Sequence, residues 1–244
     1  MRQRLKLEKS PDGCGKTLDT VEDWFDLFPP KRKEAQWKDG FSAKELAKYV
    51  LREKGCVPVE INEVISKVSN SKPIFNWKPE CETNFAIHGL GKGQGRNHDL
   101  ALWNDDIFVG VEAKVNESLG EYIGAEYEKG KTNKKHRIEG LIKIVFGDDL
   151  DLGKYNDIRY QLVTATAGTL FEAKNRNLDK AMVLVCMLKK DTDSSNSLAK
   201  TDMENFLVAC NAELATDNIY EIPTYDDFSD IRLYFSMIEI LIND

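Results

Sequence analysis

The hydrophobic pattern changes period several times along the chain, and each change marks an element. Thr20 followed by Val21-Glu22-Asp23-Trp24-Phe25 reads as a threonine cap with early acids, and predicts a short helix stopped by Pro29-Pro30. Ser42-Ala43-Lys44-Glu45 has capping-box spacing and predicts a helix to about Lys54. Pro58 suits a first helical position and predicts a helix to about Val68. Thr83 to Ile87, Asp99 to Trp103 and Ile107 to Val115 have strand character. Helical patterns follow near Gly120 to Lys129 and His136 to Phe146, and Asp157 is placed to cap a long helix to about Arg176. Ala181 to Leu188 is apolar throughout, as in a strand buried on both faces. Thr201-Asp202-Met203-Glu204 opens another helix, and Ile231 to Ile242 fits a strand or a helix. Residues 1 to 18 read as irregular, and Asp191 to Asn196 as a polar loop.

Helices, three sequential strands, a helical layer, a further strand and more helix predict an α/β fold, with a mixed central sheet flanked by helices. The expected organisation is an N-terminal helical segment, residues 1–56, packed on an α/β domain, residues 57–244, as one structural unit.

Composition narrows the class. The chain has 244 residues, 41% hydrophobic and 31% charged, which fits a soluble globular protein. No apolar run is long enough to span a bilayer, and the basic start Met1-Arg2-Gln3-Arg4 leads into no apolar signal region. The five cysteines are scattered without Cys-x-x-Cys spacing, so reduced thiols in a cytoplasm are expected. The formal net charge of -7 argues against a bulk nucleic-acid coat. It leaves room for a basic groove on an acidic body, and the bases concentrate between Lys129 and Arg137.

The densest chemistry lies between Gly91 and Val115. A glycine-rich turn, Gly91-Lys92-Gly93-Gln94-Gly95, leads into Arg96-Asn97-His98-Asp99, and a second apolar run ends in Glu112-Ala113-Lys114. Residues two apart on a strand share a face, so Glu112 and Lys114 project together while Val111 and Ala113 point into the core. A hairpin across Asn104-Asp105-Asp106 brings Asp99 near Glu112. Two carboxylates and one ammonium then meet at a sheet face, a set suited to a divalent ion and a phosphate ester.

Asp99…Glu112-Ala113-Lys114 resembles the Asp…(Asp/Glu)-x-Lys signature of the PD-(D/E)XK nuclease superfamily. Trp37-Lys38-Asp39-Gly40-Phe41-Ser42-Ala43, the block from Glu112 to Gly120 and Ile158-Arg159-Tyr160-Gln161-Leu162 resemble an uncharacterised bacterial family of nuclease-like proteins. His98 stands where the signature carries proline. The resemblance implies a restriction-endonuclease-like core and a hydrolase that cleaves DNA rather than RNA, in bacterial defence or genome maintenance. It implies Mg²⁺ or Mn²⁺ held by Asp99 and Glu112 with the Ala113 carbonyl, and Lys114 orienting the attacking water. A glutamate on the first core helix would complete the metal site, which favours Glu60 over Glu82. A homodimer is compatible with this reading.

Other groups are weighed beside that set. Gln161 lies on the long helix with small residues at 165, 167 and 168, and can reach the site or serve as a buried amide. Arg96 beside the glycines, and Lys131, Lys134, Lys135 and Arg137, can track a phosphate backbone or form solvated faces. Gly13-Cys14-Gly15-Lys16-Thr17 lacks the first glycine of a P-loop, since Ser10 occupies that position. His88, His98 and His136 read as ordinary polar residues. The alternative function is a catalytically inactive module on the same fold that binds nucleic acid or a protein partner, and a third is a regulatory protein partnered through the acidic C-terminal segment.

Overall fold

The computed structural model describes residues 4–7, 18–30, 33–69, 74–85, 89–90, 95–115, 117–189 and 197–242. The P-loop lookalike, His88, Gly91 to Gln94 and the loop from Asp191 to Asn196 lie outside them. Among the described residues the strands are β1 (Arg4–Leu7), β2 (Ile74–Thr83), β3 (Arg96–Trp103), β4 (Phe108–Lys114), β5 (Lys180–Lys189), β6 (Glu213–Thr216), β7 (Ile219–Ile222) and β8 (Arg232–Leu241). They form one mixed sheet in the order β1-β2-β3-β4-β5-β8-β7-β6. The predicted α/β class, with helices on both faces and a helical N-terminal part, is the observed one.

The helices are α1 (Val21–Leu27), α2 (Ser42–Leu51), α3 (Val59–Ile65), α4 (Ile123–Lys129), α5 (Thr132–Phe146), α6 (Leu152–Tyr155), α7 (Tyr160–Asn175) and α8 (Ser197–Ala209). α1 to α3 pack on one face of the sheet, with Trp24, Leu46, Tyr49 and Ile61 against Val109, Val111 and Leu184. The later helices cover the other face, where Ile142, Leu162, Leu170 and Phe206 meet Phe108, Val183 and Phe235. β5 runs parallel to β4 and β8 and is buried almost end to end, which explains its unbroken apolar sequence.

Thr20 caps α1 as expected, and Asp23 completes a capping box with it, each accepting from the other's backbone N–H. The box expected at Ser42 does not form. Phe41 is the N-cap of α2, and Glu45 instead accepts the Gly40 N–H at 2.8 Å. Arg159, not Asp157, is the N-cap of α7, because Arg159 pairs in an isolated bridge with Tyr122 and the helix can begin only after it. The strand before Asp99 ends at Thr83 instead of starting there. The N-terminal stretch read as irregular contributes β1, parallel to β2 at the sheet edge.

α7 lies close to the sheet because glycine supplies the clearance from both sides. A Cβ on Gly110 of β4 would sit 2.4 Å from Thr169 Oγ1, and one on Gly168 of α7 would sit 3.0 Å from His98 Nε2. This close approach carries the start of α7, and with it Gln161, to the end of β4 where Glu112 and Lys114 project.

Candidate active site

β3 and β4 form the predicted hairpin. The Asn104 side chain accepts from the N–H groups of Asp106 and Ile107 at 2.8 and 3.0 Å and closes the turn. Pairing of β3 with β4 ends at Leu100 opposite Val111, while β4 stays paired with β5 as far as Lys114. Where the backbone ladder stops, a side chain continues it: Asp99 Oδ2 accepts the Ala113 N–H at 2.8 Å. The divergence opens a cleft of 1110 Å³, and Asp99, Glu112, Lys114, Arg96 and Gln161 all line it. Of these, the sequence pattern places Asp99, Glu112 and Lys114 together with Gln161 in reach, and gives Arg96 only as a candidate phosphate contact.

Side-chain alternation breaks on β2 and β3 at the same level. Trp77 packs with Trp24 on the face of α1 to α3, yet Cys81, an even step away, belongs to the opposite core. Leu100 and His98 divide likewise: Leu100 packs with the first helices, and His98 packs against Phe108 and Gly168. Glu80 lies at the break with φ +46. Such irregularities re-aim side chains at the ends of sheets. Here the break leaves Glu80 opposite Asp99, between the pairs Pro79–Leu100 and Cys81–His98, and in the wall of the cleft.

Glu112 is 2% exposed and carries the densest set of partners. It is ion-paired with Arg96 and with Lys114, the latter at 2.8 Å, and Gln161 Nε2 donates to the same Oε1 that faces Lys114. Lys114 is 7% exposed; burial pushes its ammonium down in pKa, against the pull of Asp99. Burial also pushes the Arg96 guanidinium down. Glu80 goes the other way, up to about 7, through burial first and the charge of Asp99 second. His98 is fully buried and held down at about 3 by burial and by the Arg96 cation, so it is a neutral packing residue.

The metal ligand favoured on the first core helix is a correction. Glu60 is on α3, accepts from Tyr49 Oη at 2.7 Å, lies 3.8 Å from Arg52 and does not line the cleft. α3 packs on the far face of the sheet, which is why its glutamate cannot reach. Glu82 is exposed near the end of β2. Glu80 lines the cleft beside Asp99 instead. The alternation Phe75-Asn76-Trp77-Lys78 was the available signal for its strand, hidden because Pro79 interrupts it. Among the described residues no three His, Cys, Asp or Glu side chains stand together as a ready ligand set, because Glu112 is turned to Arg96 and Lys114.

Lys131, Lys134 and Arg137 line one wall of the cleft, together with Lys129 and Asn133. Lys135 does not; its ammonium lies over the Tyr127 ring at 4.8 Å. Lys134 is ion-paired with Glu126 and faces the Tyr160 ring, and Arg137 Nε donates to the Leu90 carbonyl at 3.2 Å. α5 carries no acid in its first turn and no side-chain cap, so the positive end of its dipole adds to this wall.

One further residue escaped the sequence reading. Arg159, 7% exposed, donates to Asp202 Oδ2 at 2.8 Å, to the Gly120 carbonyl at 2.7 Å and to Tyr122 Oη at 2.9 Å. Gly120 in turn packs on Gln161, and a Cβ there would be 3.3 Å from the glutamine Cβ. The guanidinium thereby ties α8, the segment after β4 and the start of α7 into one support beneath the Gln161–Glu112 contact.

No curated protein and no solved structure matches this chain. A family described as a domain of unknown function, DUF6946, matches residues 17–241, and the chain belongs to that family.

Proposed function

We propose that the cleft is the site of a metal-dependent phosphodiesterase acting on DNA, a nuclease of the PD-(D/E)XK type. The observation that carries this reading is the Asp99–Ala113 hydrogen bond, which holds one carboxylate at the divergence of β3 and β4, beside Glu112 and Lys114 on the floor of the same cleft. The donor chemistry fits a hard divalent cation. Asp99, Glu112 and Glu80, with the Ala113 carbonyl, would hold Mg²⁺ or Mn²⁺. Burial first, and the nearby charge of Asp99 second, push the Glu80 carboxyl up, and a bound cation would relieve both. When bound, the ion supplies charge neutralisation at the phosphoryl oxygens and the leaving 3′ oxygen.

The chain's own groups do the rest. Lys114, whose ammonium burial pushes down in pKa, holds the attacking water in place. Arg96 moves from Glu112 to the phosphate when substrate enters, since both are anions of similar size and the phosphate is bidentate. Gln161 keeps Glu112 in its rotamer during that exchange. Lys131, Lys134 and Arg137 neutralise the flanking strand.

The ion pairs of Glu112 with Arg96 and Lys114 favour a second reading, an inactive scaffold whose floor is internally neutralised. Cleavage of plasmid and single-stranded DNA in Mn²⁺ decides between them. The active reading expects products that disappear in Lys114→Ala and Glu112→Gln. Binding without products, and without Mn²⁺ stabilisation of the parent, assigns the scaffold.

A further inference from the structure

The segment leading into α2 lines the same cleft, and α2 packs on the face of the sheet opposite to that of α5 and its basic residues. Phe41 lines the cleft there and is 47% exposed, so its ring is open to a ligand. Its position is fixed from both sides. The Phe41 N–H donates to the Lys38 carbonyl at 3.1 Å, and its own carbonyl accepts from Glu45 at 3.0 Å as the N-cap of α2. A ring carried on a backbone held in this way contacts a ligand without a loop having to be ordered first.

The floor between the walls is recessed. Glu112 and Lys114 are 2% and 7% exposed, so a phosphate must descend between the walls to meet them. A duplex is wide and stiff over this length, and bending it costs several kcal/mol by elastic estimates. Its bases are also stacked inside, so it offers Phe41 no ring face. An unpaired strand is narrow, bends freely and presents every base as a π-face, while its phosphates can run along Lys131 and Lys134. An aromatic platform opposite a cationic track is the arrangement by which proteins hold single strands with little sequence preference.

We propose that the substrate is an unpaired DNA strand, with Phe41 as the platform on which a base stacks opposite the Lys131–Lys134 wall. This rests on the DNA reading above and adds the strand state and the residue that selects it.

The test uses the full chain and three probes: a fluorescein-labelled oligothymidine, a blunt duplex of equal length, and the duplex with a single-stranded overhang. Anisotropy is read in Ca²⁺. The oligothymidine and the overhang should bind at least tenfold more tightly than the blunt duplex. Phe41→Ala should weaken binding of the unpaired probes by roughly 5- to 150-fold, the range for loss of one stacked base. The duplex should be unaffected, and Phe41→Trp should retain the parent affinity. Melting curves of both variants establish that each is folded. Equal or tighter binding of the blunt duplex overturns the proposal, as does unaltered oligothymidine binding by Phe41→Ala. In either case DNA is still bound and the nuclease reading stands. Binding of none of the three probes overturns that reading as well.

Discussion

Glu80 stands opposite Asp99 where β2 and β3 both break their alternation, and it does so with a left-handed backbone, φ +46, and a carboxyl pushed up to about 7. A non-glycine residue in that conformation costs roughly 1–2 kcal/mol. The position therefore carries backbone strain and charge repulsion together, a pairing common where function is held against stability.

Glu80→Gln removes the repulsion and keeps the shape. At pH 8, above its folded pKa, Glu80 is a half-buried anion beside Asp99 in the native chain. The variant should be more stable than the parent without metal, by on the order of 1–3 kcal/mol. Its stabilisation by Mn²⁺ should shrink, following RT ln(1 + [L]/Kd). Urea melts with EDTA and with Mn²⁺ measure both. An unchanged Mn²⁺ response would remove Glu80 from the ligand set.

Glu112→Gln should behave differently. On sequence alone, losing one of two neighbouring carboxylates is expected to leave apo stability unchanged or raised. With Arg96 and Lys114 both paired to Glu112, the variant leaves two buried cations short of their anion. It should lose roughly 3 kcal/mol in EDTA, in the range for breaking a buried pair. Lys114→Ala should lose DNA cleavage while keeping the Mn²⁺-dependent shift in Tm. Loss of that shift in Lys114→Ala would make the lysine a structural partner alone.

The basic wall gives a count. Lys131, Lys134 and Arg137 line the cleft and Lys135 does not. Neutralising the first three should flatten the dependence of log K on log[salt] by about 0.7 per contact on a single strand and 0.9 on a duplex. Lys135→Gln alone should leave the slope unchanged. Equal effects at all four positions would return the segment to a general electrostatic field.

His98 sets an acid limit. Its folded pKa, about 3, lies below the ordinary 6.5, with Arg96 and Arg176 adding to the effect of burial. The unfolded chain therefore takes up a proton that the native chain refuses. This contribution to stability is full above about pH 6.5 and is lost as pH falls towards 3, at up to ~1.4 kcal/mol per pH unit. His98→Gln should be less stable than the parent near neutrality, and the gap should close on acidification. Parallel curves from pH 7.5 to 4 in EDTA would show that His98 does not carry the acid transition.

The signals that were legible in the chain are local. Thr20 caps α1 through contacts confined to four consecutive residues. The Ser42 box gives way to local competitors: Glu45 is drawn to the Gly40 N–H, five residues back, and to Lys48, three residues on, at 3.0 Å. The short hairpin β6–β7 has too few residues to stand out, and pairing with β8 creates it.

The site divides along the same line. Asp99, Glu112 and Lys114 could be brought together from sequence, because strand alternation and a hairpin of fixed length set their faces. Gln161 could be placed near them because small residues mark the close face of α7. Choosing Glu80 over Glu60 required the sheet. The break at Glu80 exists only when β2 and β3 are paired, and α3 lies on the far face for reasons spread over the whole N-terminal core. Whether the Glu112 charge is open or already matched also depends on Arg96, whose reach follows from where β3 leaves β4. Covalent spacing thus determined which groups share a strand face, and long-range packing decided which of them meet across the cleft, because electrostatic contact depends on distances that no local pattern specifies.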